Sequence, residues 1–198
     1  MTKQYDKAYF DRWYRNRSTR VSSHAEVRRK VVLAVSVAEY FIRRPIRTVL
    51  DIGCGEAAWL PHLRALRPRI QYLGLDSSTY TVERFGRERN IRLATFGELA
   101  KKKLGAYDLV ICSDVLHYVP DDEIRTGLDA LADATDGLAF IEVLTREDDI
   151  VGDLDSFIRR PAAWYRRAFK AVGLTSVAPY AWLGPAFKDA VAELEAVR

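Results

Sequence analysis

Asp51, Gly53 and Gly55 stand two apart at the end of an aliphatic run, Thr48-Val-Leu-Asp51-Ile-Gly53-Cys54-Gly55, and the Ala-rich segment that follows has helical potential. The spacing predicts a strand, a tight turn and a helix. Glycines in such a turn reach conformations closed to other residues and leave no Cβ to hold a ligand off the main chain. The helix behind them offers unpaired N–H groups and a positive dipole end. A polar small molecule can then lie against bare backbone. The dinucleotide fingerprint has glycines at its first, third and sixth positions. Here position 58 is Ala, and the Asp51 carboxylate precedes the first glycine. Such an acid repels a pyrophosphate and tolerates an ammonium. The plainer alternative is a glycine-rich turn that only packs a helix on a sheet.

Two further clusters follow the same logic. Ile70-Gln-Tyr-Leu-Gly-Leu75 reads as a second strand ending in Asp76, with Ser77 at the start of the next helix. An acid at this place, about 20 residues past the first turn, accepts hydrogen bonds from ribose hydroxyls in nucleotide-binding α/β folds. Asp76 as a helix N-cap is the structural alternative. Tyr107-Asp-Leu-Val-Ile-Cys-Ser113-Asp114 is a nearly continuous apolar strand of the kind buried on both faces, and Val-Leu-His117-Tyr118 follows it.

Together, Asp51-x-Gly53-x-Gly55-x-Ala57, Tyr-Leu-Gly-Leu-Asp76 and Ser113-Asp114 resemble the motifs of class I S-adenosylmethionine-dependent methyltransferases of the small-molecule type. The resemblance runs from about residue 45 to 184. It implies a single-domain, Rossmann-like α/β sandwich of seven strands. The cofactor would be S-adenosyl-L-methionine, held by Asp51, Gly53, Cys54, Gly55, Asp76, Ser77, Phe96, Gly97, Ser113 and Asp114. Phe96 could stack on the adenine and the main chain of Gly97 could bond it, or Glu98 could replace the family's usual acid one position late. The sequence lacks the Asn-Pro-Pro-Tyr of enzymes acting on base amino groups, and Cys112 lacks the preceding Pro of cytosine-C5 enzymes. Both absences count against nucleobase chemistry.

A sulfonium methyl is already activated, so such an enzyme must hold a nucleophile in line with it and exclude water. An N or O nucleophile must also lose a proton. His117 has the right pKa range and the right place for that task, although histidine there also occurs without it.

The flanking segments must position these residues. Tyr5, Tyr9 and Trp13 recur at steps of four, with Phe10 and Tyr14 beside them, and predict an aromatic stripe on a short helix over residues 4–14. It is either core packing or a lid. Ser23-His-Ala-Glu26 reads as a capping box opening a helix that Pro45 ends. Residues 1–44 are thus expected as a helical cap, and 45–198 as the cofactor-binding domain. Further helices are expected over about 57–67, 78–89, 121–134 and 157–171, and strands over 91–96, 137–144 and 175–183. The tail 186–198 has helical spacing at Ala190, Val191, Leu194 and Val197, whereas the resemblance asks there for a seventh, antiparallel strand. Tyr9, Trp13, Tyr14, Tyr118 and Arg146 are the candidates for acceptor binding or the lid.

Composition bounds the rest. The chain has 198 residues, 48% of them hydrophobic and 29% charged, as in one soluble domain. No apolar run suits a membrane span and no signal-peptide core opens the sequence, so a cytoplasmic protein is expected. Cys54 and Cys112 have no metal-ligand spacing and read as packing residues, and no metal site is expected. Residues 1–50 carry a balance of +8 within a net +4. These arginines suit an anionic small-molecule acceptor, or RNA in a runner-up reading as an RNA methyltransferase. A non-catalytic cofactor-binding relative is the third possibility, since fold alone does not make an enzyme.

Overall fold

The computed structural model describes residues 5–150, 152–192 and 195. Its N-terminal element is shorter and less regular than the stripe suggested. A single α turn, α1 (Lys7–Phe10), capped by the Asp6 side chain on Tyr9 N–H, widens at once into a π turn over Asp11–Arg15. Ser23 and Glu26 then form the expected capping box and open α2 (His24–Ile42), which Arg43 ends in the left-handed conformation. Val31, Ala34, Val35 and Ala38 are its buried face.

From there strand and helix alternate: β1 (Thr48–Ile52), α3 (Leu60–Leu66), β2 (Gln71–Asp76), α4 (Thr79–Arg89), β3 (Ile91–Leu93), β4 (Tyr107–Ser113), α5 (Asp121–Ala134), β5 (Thr135–Glu142), α6 (Ala162–Ala171), β6 (Thr175–Ala178) and β7 (Ala181–Leu183). The sheet order is β3-β2-β1-β4-β5-β7-β6. Strands β1 to β5 are parallel, and β7 runs antiparallel to both β5 and β6. Alternation along each inner strand sorts the core into two layers. Val49, Leu109, Ile111, Leu138 and Phe140 face α2 and α3, whereas Leu50, Val110, Cys112, Ala139 and Ile141 face α5 and α6. The chain leaves β1 for β2 on one side and β4 lies on the other, so a cleft opens outside the carboxyl ends of β1 and β4.

Several boundaries differ from the sequence expectation. Residues 175–183 are not one strand but the hairpin β6–β7, turned at Pro179-Tyr180 with Tyr180 at φ +61°. The antiparallel seventh strand is therefore β7. In the tail, Pro185–Ala190 form a 3-10 turn instead of a strand, and Leu194 and Val197 lie outside the described residues. Helix α6 begins at Ala162, not near 157, because Pro161 keeps the residue before it out of helical conformation. Strand β3 stops at Leu93, and Phe96 opens a 3-10 turn, Phe96–Lys101. Helix α2 belongs to the core layer, so within the expected cap of residues 1–44 only the segment before it lies apart from the sheet. No helix among the described residues is long and apolar enough to cross a membrane.

Candidate functional site

The turn after β1 takes its shape from two glycines in the left-handed region, Gly53 at φ +70° and Gly55 at φ +52°. A Cβ on Gly53 would overlap Val115 Cγ2, so this glycine lets the exits of β1 and β4 meet. The N–H groups of Gly53 and Cys54 donate to Leu75 O at 2.7 and 3.1 Å, tying the turn to the end of β2. Asp76 completes the seam. Its Oδ2 accepts from Gly55 N–H at 2.6 Å and its Oδ1 from Ser78 N–H at 2.8 Å. Burial raises the pKa of this carboxyl, and these two N–H groups pull it back down. Two bonds use about half of a carboxylate's lone-pair sites and leave the others for ligand hydroxyls. Ser78, not Asp76, caps α4, accepting from Thr81 N–H at 3.1 Å. Asp76 is thus free of the structural duty that the sequence left open, and exposed Ser77 lies beside it. A half-satisfied carboxylate beside the glycine turn fits the ribose hydroxyls of the S-adenosylmethionine implied by the resemblance.

Asp51 and Cys54 play a different part from the one expected. Asp51 is 2% exposed and accepts from Tyr72 O–H at 2.8 Å. Burial, partly offset by that bond and reinforced by the Asp76 charge, pushes its pKa up to about 7. It supports the turn from below. The Cys54 thiol is buried against Gly74, with its pKa raised by burial.

The adenine expectation fails at its side chains. Phe96 is 5% exposed, and its ring presses on Gly127 of α5, where any Cβ would clash with it. No face remains to stack on a base. Gly97 N–H donates to Glu123 Oε2 at 3.2 Å, and the Glu98 carboxylate accepts from Thr95 N–H at 2.9 Å. The early end of β3 turns these groups into local caps.

Above the cradle lies the aromatic N-terminal segment. Phe10 is 3% exposed, and its ring edge is 3.2 Å from where a Cβ on Gly55 would stand. The ring also meets Tyr80, centroids 5.8 Å apart. Ser78 O–H donates to Tyr5 O at 2.5 Å, and Arg15 pairs with both Asp11 and Glu56. The π turn changes which aromatics meet. Asn16 N–H bonds Asp11 O, five residues back, so Tyr14 rather than Trp13 joins Tyr9 and Phe10, at 6.2 and 5.5 Å. Trp13 instead carries the Arg12 guanidinium 4.6 Å over its ring. The stripe of every fourth residue is thus corrected to Tyr5, Tyr9 and Tyr14, because an α period does not survive a π turn. Burial is the first cause that raises these phenols, followed for Tyr9 by Tyr14 and Tyr118 and for Tyr5 and Tyr14 by carboxylates. Tyr5 is pushed up to about 12, with Asp153, Asp76, Asp114 and Asp155 as its charged neighbours in falling order of effect. Tyr14 is raised by burial, Asp114, Tyr118 and Asp76.

On the facing side, Ser113 and Asp114 leave β4 at the cleft, Asp114 at φ +64°, an uncommon conformation for a non-glycine residue. Ser113 O–H donates to Glu142 Oε2 at 2.5 Å, and Lys30 Nζ reaches Glu142 Oε1 at 2.6 Å. Tyr118 O–H donates to Asp153 O at 2.8 Å. His117 does not fit the role of general base. It is fully buried and stacks on Phe157 at 4.8 Å. Its Nδ1 accepts from Leu144 N–H at 3.3 Å, and Nε2 lies 3.1 Å from Asp114 Oδ1 without hydrogen-bond alignment. The ring fastens one loop to the next. Arg146 is likewise out of place for an acceptor, since its side chain is 60% exposed and pairs with Glu147.

Sequence reasoning passed over Lys30, Tyr80 and Arg160. Arg160 is 5% exposed and its guanidinium donates to Leu116 O, Val119 O, Tyr165 Oη and Asp121 Oδ1 at 2.5 to 3.1 Å. Only its place before Pro161 set it apart. No group of residues that could hold a metal ion occurs among the described residues.

Residues 23–179 match the family described as a methyltransferase domain. Among solved structures, an S-adenosylmethionine-dependent methyltransferase from Archaeoglobus fulgidus is 15% identical, with a TM-score of 0.64, covering 86% of this chain and 75% of its own. The plantazolicin methyltransferase BpumL, in complex with a pentazolic desmethylPZN analog and SAH, is 13% identical at a TM-score of 0.63, covering 83% and 66%. Human N-acetylserotonin methyltransferase in complex with SAM is 18% identical at 0.56, covering 81% of this chain, which spans 56% of its length. At these identities the likeness is one of fold. No curated protein matches the sequence.

Proposed function

The chain belongs to the methyltransferase domain family, and on that premise we propose that it transfers a methyl group from S-adenosylmethionine to an N or O atom of a small molecule enclosed beneath the aromatic segment. The observation that carries this reading is the seat of Phe10 on Gly55, with Ser78–Tyr5 and Arg15–Glu56 fastening the same segment over the cradle. A polymer needs an open approach, and this roof favours an acceptor small enough to be shut in.

The cofactor supplies a methyl group already activated on a sulfonium. What remains for the protein is to orient the nucleophile, keep water out and accept a proton. Phe10, Tyr9 and Tyr14 exclude water from above. Asp114, whose side chain is 33% exposed, and Glu142, held by Ser113 and Lys30, offer carboxylate oxygens at the exits of β4 and β5. The nucleophile's proton passes to one of these or to solvent, and His117 takes no part.

The charges favour a neutral or cationic acceptor over the anionic one that the N-terminal arginines suggested. Arg15 is spent on Asp11 and Glu56 and Arg12 lies over Trp13, whereas Tyr5 feels the charges of Asp153, Asp76, Asp114 and Asp155, and Tyr14 those of Asp114 and Asp76. The test is transfer from methyl-labelled cofactor into a fractionated metabolite extract and, separately, into total RNA. Label is expected in low-mass compounds retained on a cation exchanger or not retained at all. Label confined to RNA would replace this reading with the runner-up, and a protein that binds cofactor yet labels nothing would favour the non-catalytic one.

A further inference from the structure

The connection from β3 to β4 is short, and its only regular element is the 3-10 turn Phe96–Lys101. Sheets of this class normally carry a helix over each face, but this turn packs toward α5 and leaves part of the β2–β3 face bare. A cavity of about 540 Å³ opens there, among the starts of β1, β2 and β4. Its lining runs up the bare face from Thr48, Gln71 and Tyr107 to Leu75 and Leu93, the last in register with Asp76, and includes none of Gly53, Gly55 and Asp76. Its floor is apolar, with Leu73 partly buried and Leu93 48% exposed. Its wall is cationic: Arg92, Lys101, Lys102 and Lys103 line it and no carboxylate does. Among the described residues none of these four makes an ion pair. Glu98 feels the charges of Lys102 and Lys101, but its carboxylate accepts from Thr95 N–H. Arg92, an exposed residue, lines the cavity, and its charge is felt by Tyr107 across it.

We propose that this cavity is a second binding site, distinct from the methyl-transfer cleft, for a phosphate ester with an apolar or aromatic body. The volume is that of a small-ligand pocket, where drug- or nucleotide-sized molecules bind in roughly 300 to 1,000 Å³. Four unpaired cations around one hollow match a dianion better than a single carboxylate, and Arg92 brings the planar donor fork suited to phosphate oxygens. Leu73 and Leu93 give the body of the ester its own contact, which a free phosphate ion lacks. Because none of Gly53, Gly55 and Asp76 lines this hollow, its ligand need not displace the one in the cradle.

The test is titration calorimetry of the full chain at saturating S-adenosylhomocysteine, with four probes: adenosine 5′-monophosphate, octyl phosphate, adenosine and inorganic phosphate. At least one of the two esters is expected to bind at least tenfold more tightly than inorganic phosphate or adenosine. Affinity should fall at least tenfold in Arg92→Gln/Lys102→Gln and in Leu93→Glu, while both variants keep wild-type affinity for S-adenosylhomocysteine. That control reports on the cradle and separates failure here from failure of the methyl-transfer reading. Neither ester binding, no preference over inorganic phosphate, binding unchanged in both variants, or binding abolished by S-adenosylhomocysteine would each overturn the proposal.

Discussion

On the side proposed to hold the cofactor, Gly53, Gly55 and Asp76 are held by main-chain geometry: two positive φ angles and N–H donors from the turn itself and from the start of α4. On the roof side, Phe10, Tyr9 and Tyr14 are held by ring contacts and a few polar ties to residues far along the chain. A part made of backbone leaves no room for substitution, whereas one made of side chains can be trimmed while the fold persists. Mutations on the two sides should therefore fail differently. Damage to the cradle should remove the cofactor, and damage to the roof should spare it and remove turnover.

Gly53→Val should have the largest effect. Its side chain would meet Val115 on a backbone of positive φ, so cofactor binding should vanish in calorimetry and the melting temperature should drop. Gly55→Val, which meets only the edge of Phe10 at 3.2 Å, should retain more of its stability. Equal losses would blur the contrast between backbone and side-chain construction. Asp76→Ala comes next. Loss of the carboxylate should weaken cofactor binding by about 1 to 3 kcal/mol, roughly five- to 150-fold, and unchanged affinity would remove Asp76 from the cradle.

Phe10→Ala tests the other side. Opening the roof should lower turnover by on the order of tenfold or more, with cofactor affinity changed by less than about threefold. If both fell together, roof and cradle would be one unit. The smallest expected effect is a pH dependence. Because the folded pKa of Asp51 is raised to about 7 from 3.8, its stabilising contribution is complete below pH 3.8 and is lost as pH rises through about 7. Melting curves from pH 5 to 8 should slope downward more in the wild type than in Asp51→Asn. Asp76, raised in the same direction, leaves a residual slope in both. Parallel curves would mean that Asp51 is not buried as a neutral acid.

The same division governs what could be read from sequence. The glycine spacing, the acid closing β2 and the capping box at Ser23 are local, so each could be found by position alone, and the alternation of strands and helices followed. Phe96 was misplaced because its fate depends on Gly127, a residue distant in sequence that makes room for its ring. His117 has the chemistry of a base, and only its stacking on Phe157 and its bond to Leu144 reveal that it is sealed in. Trp13 and Tyr14 exchanged roles because nothing in their spacing announces a π turn. The hairpin at Pro179-Tyr180 was hidden within a run of strand-forming residues whose reversal is only two residues long.

Arg160 joins the loop after β4 to the start of α5 and, through its own backbone, to the loop after β5, since Arg146 N–H donates to Arg160 O at 2.8 Å. One guanidinium thus acts as the rivet of two loops, and neither can be reshaped without disturbing the other. Diversification of acceptor choice on this scaffold should then run along the roof, where residues 5–22 can be exchanged like a fitting. Grafting that segment from a relative of different specificity is the economical route to redirect the enzyme, and redesign of the riveted loops is the costly one.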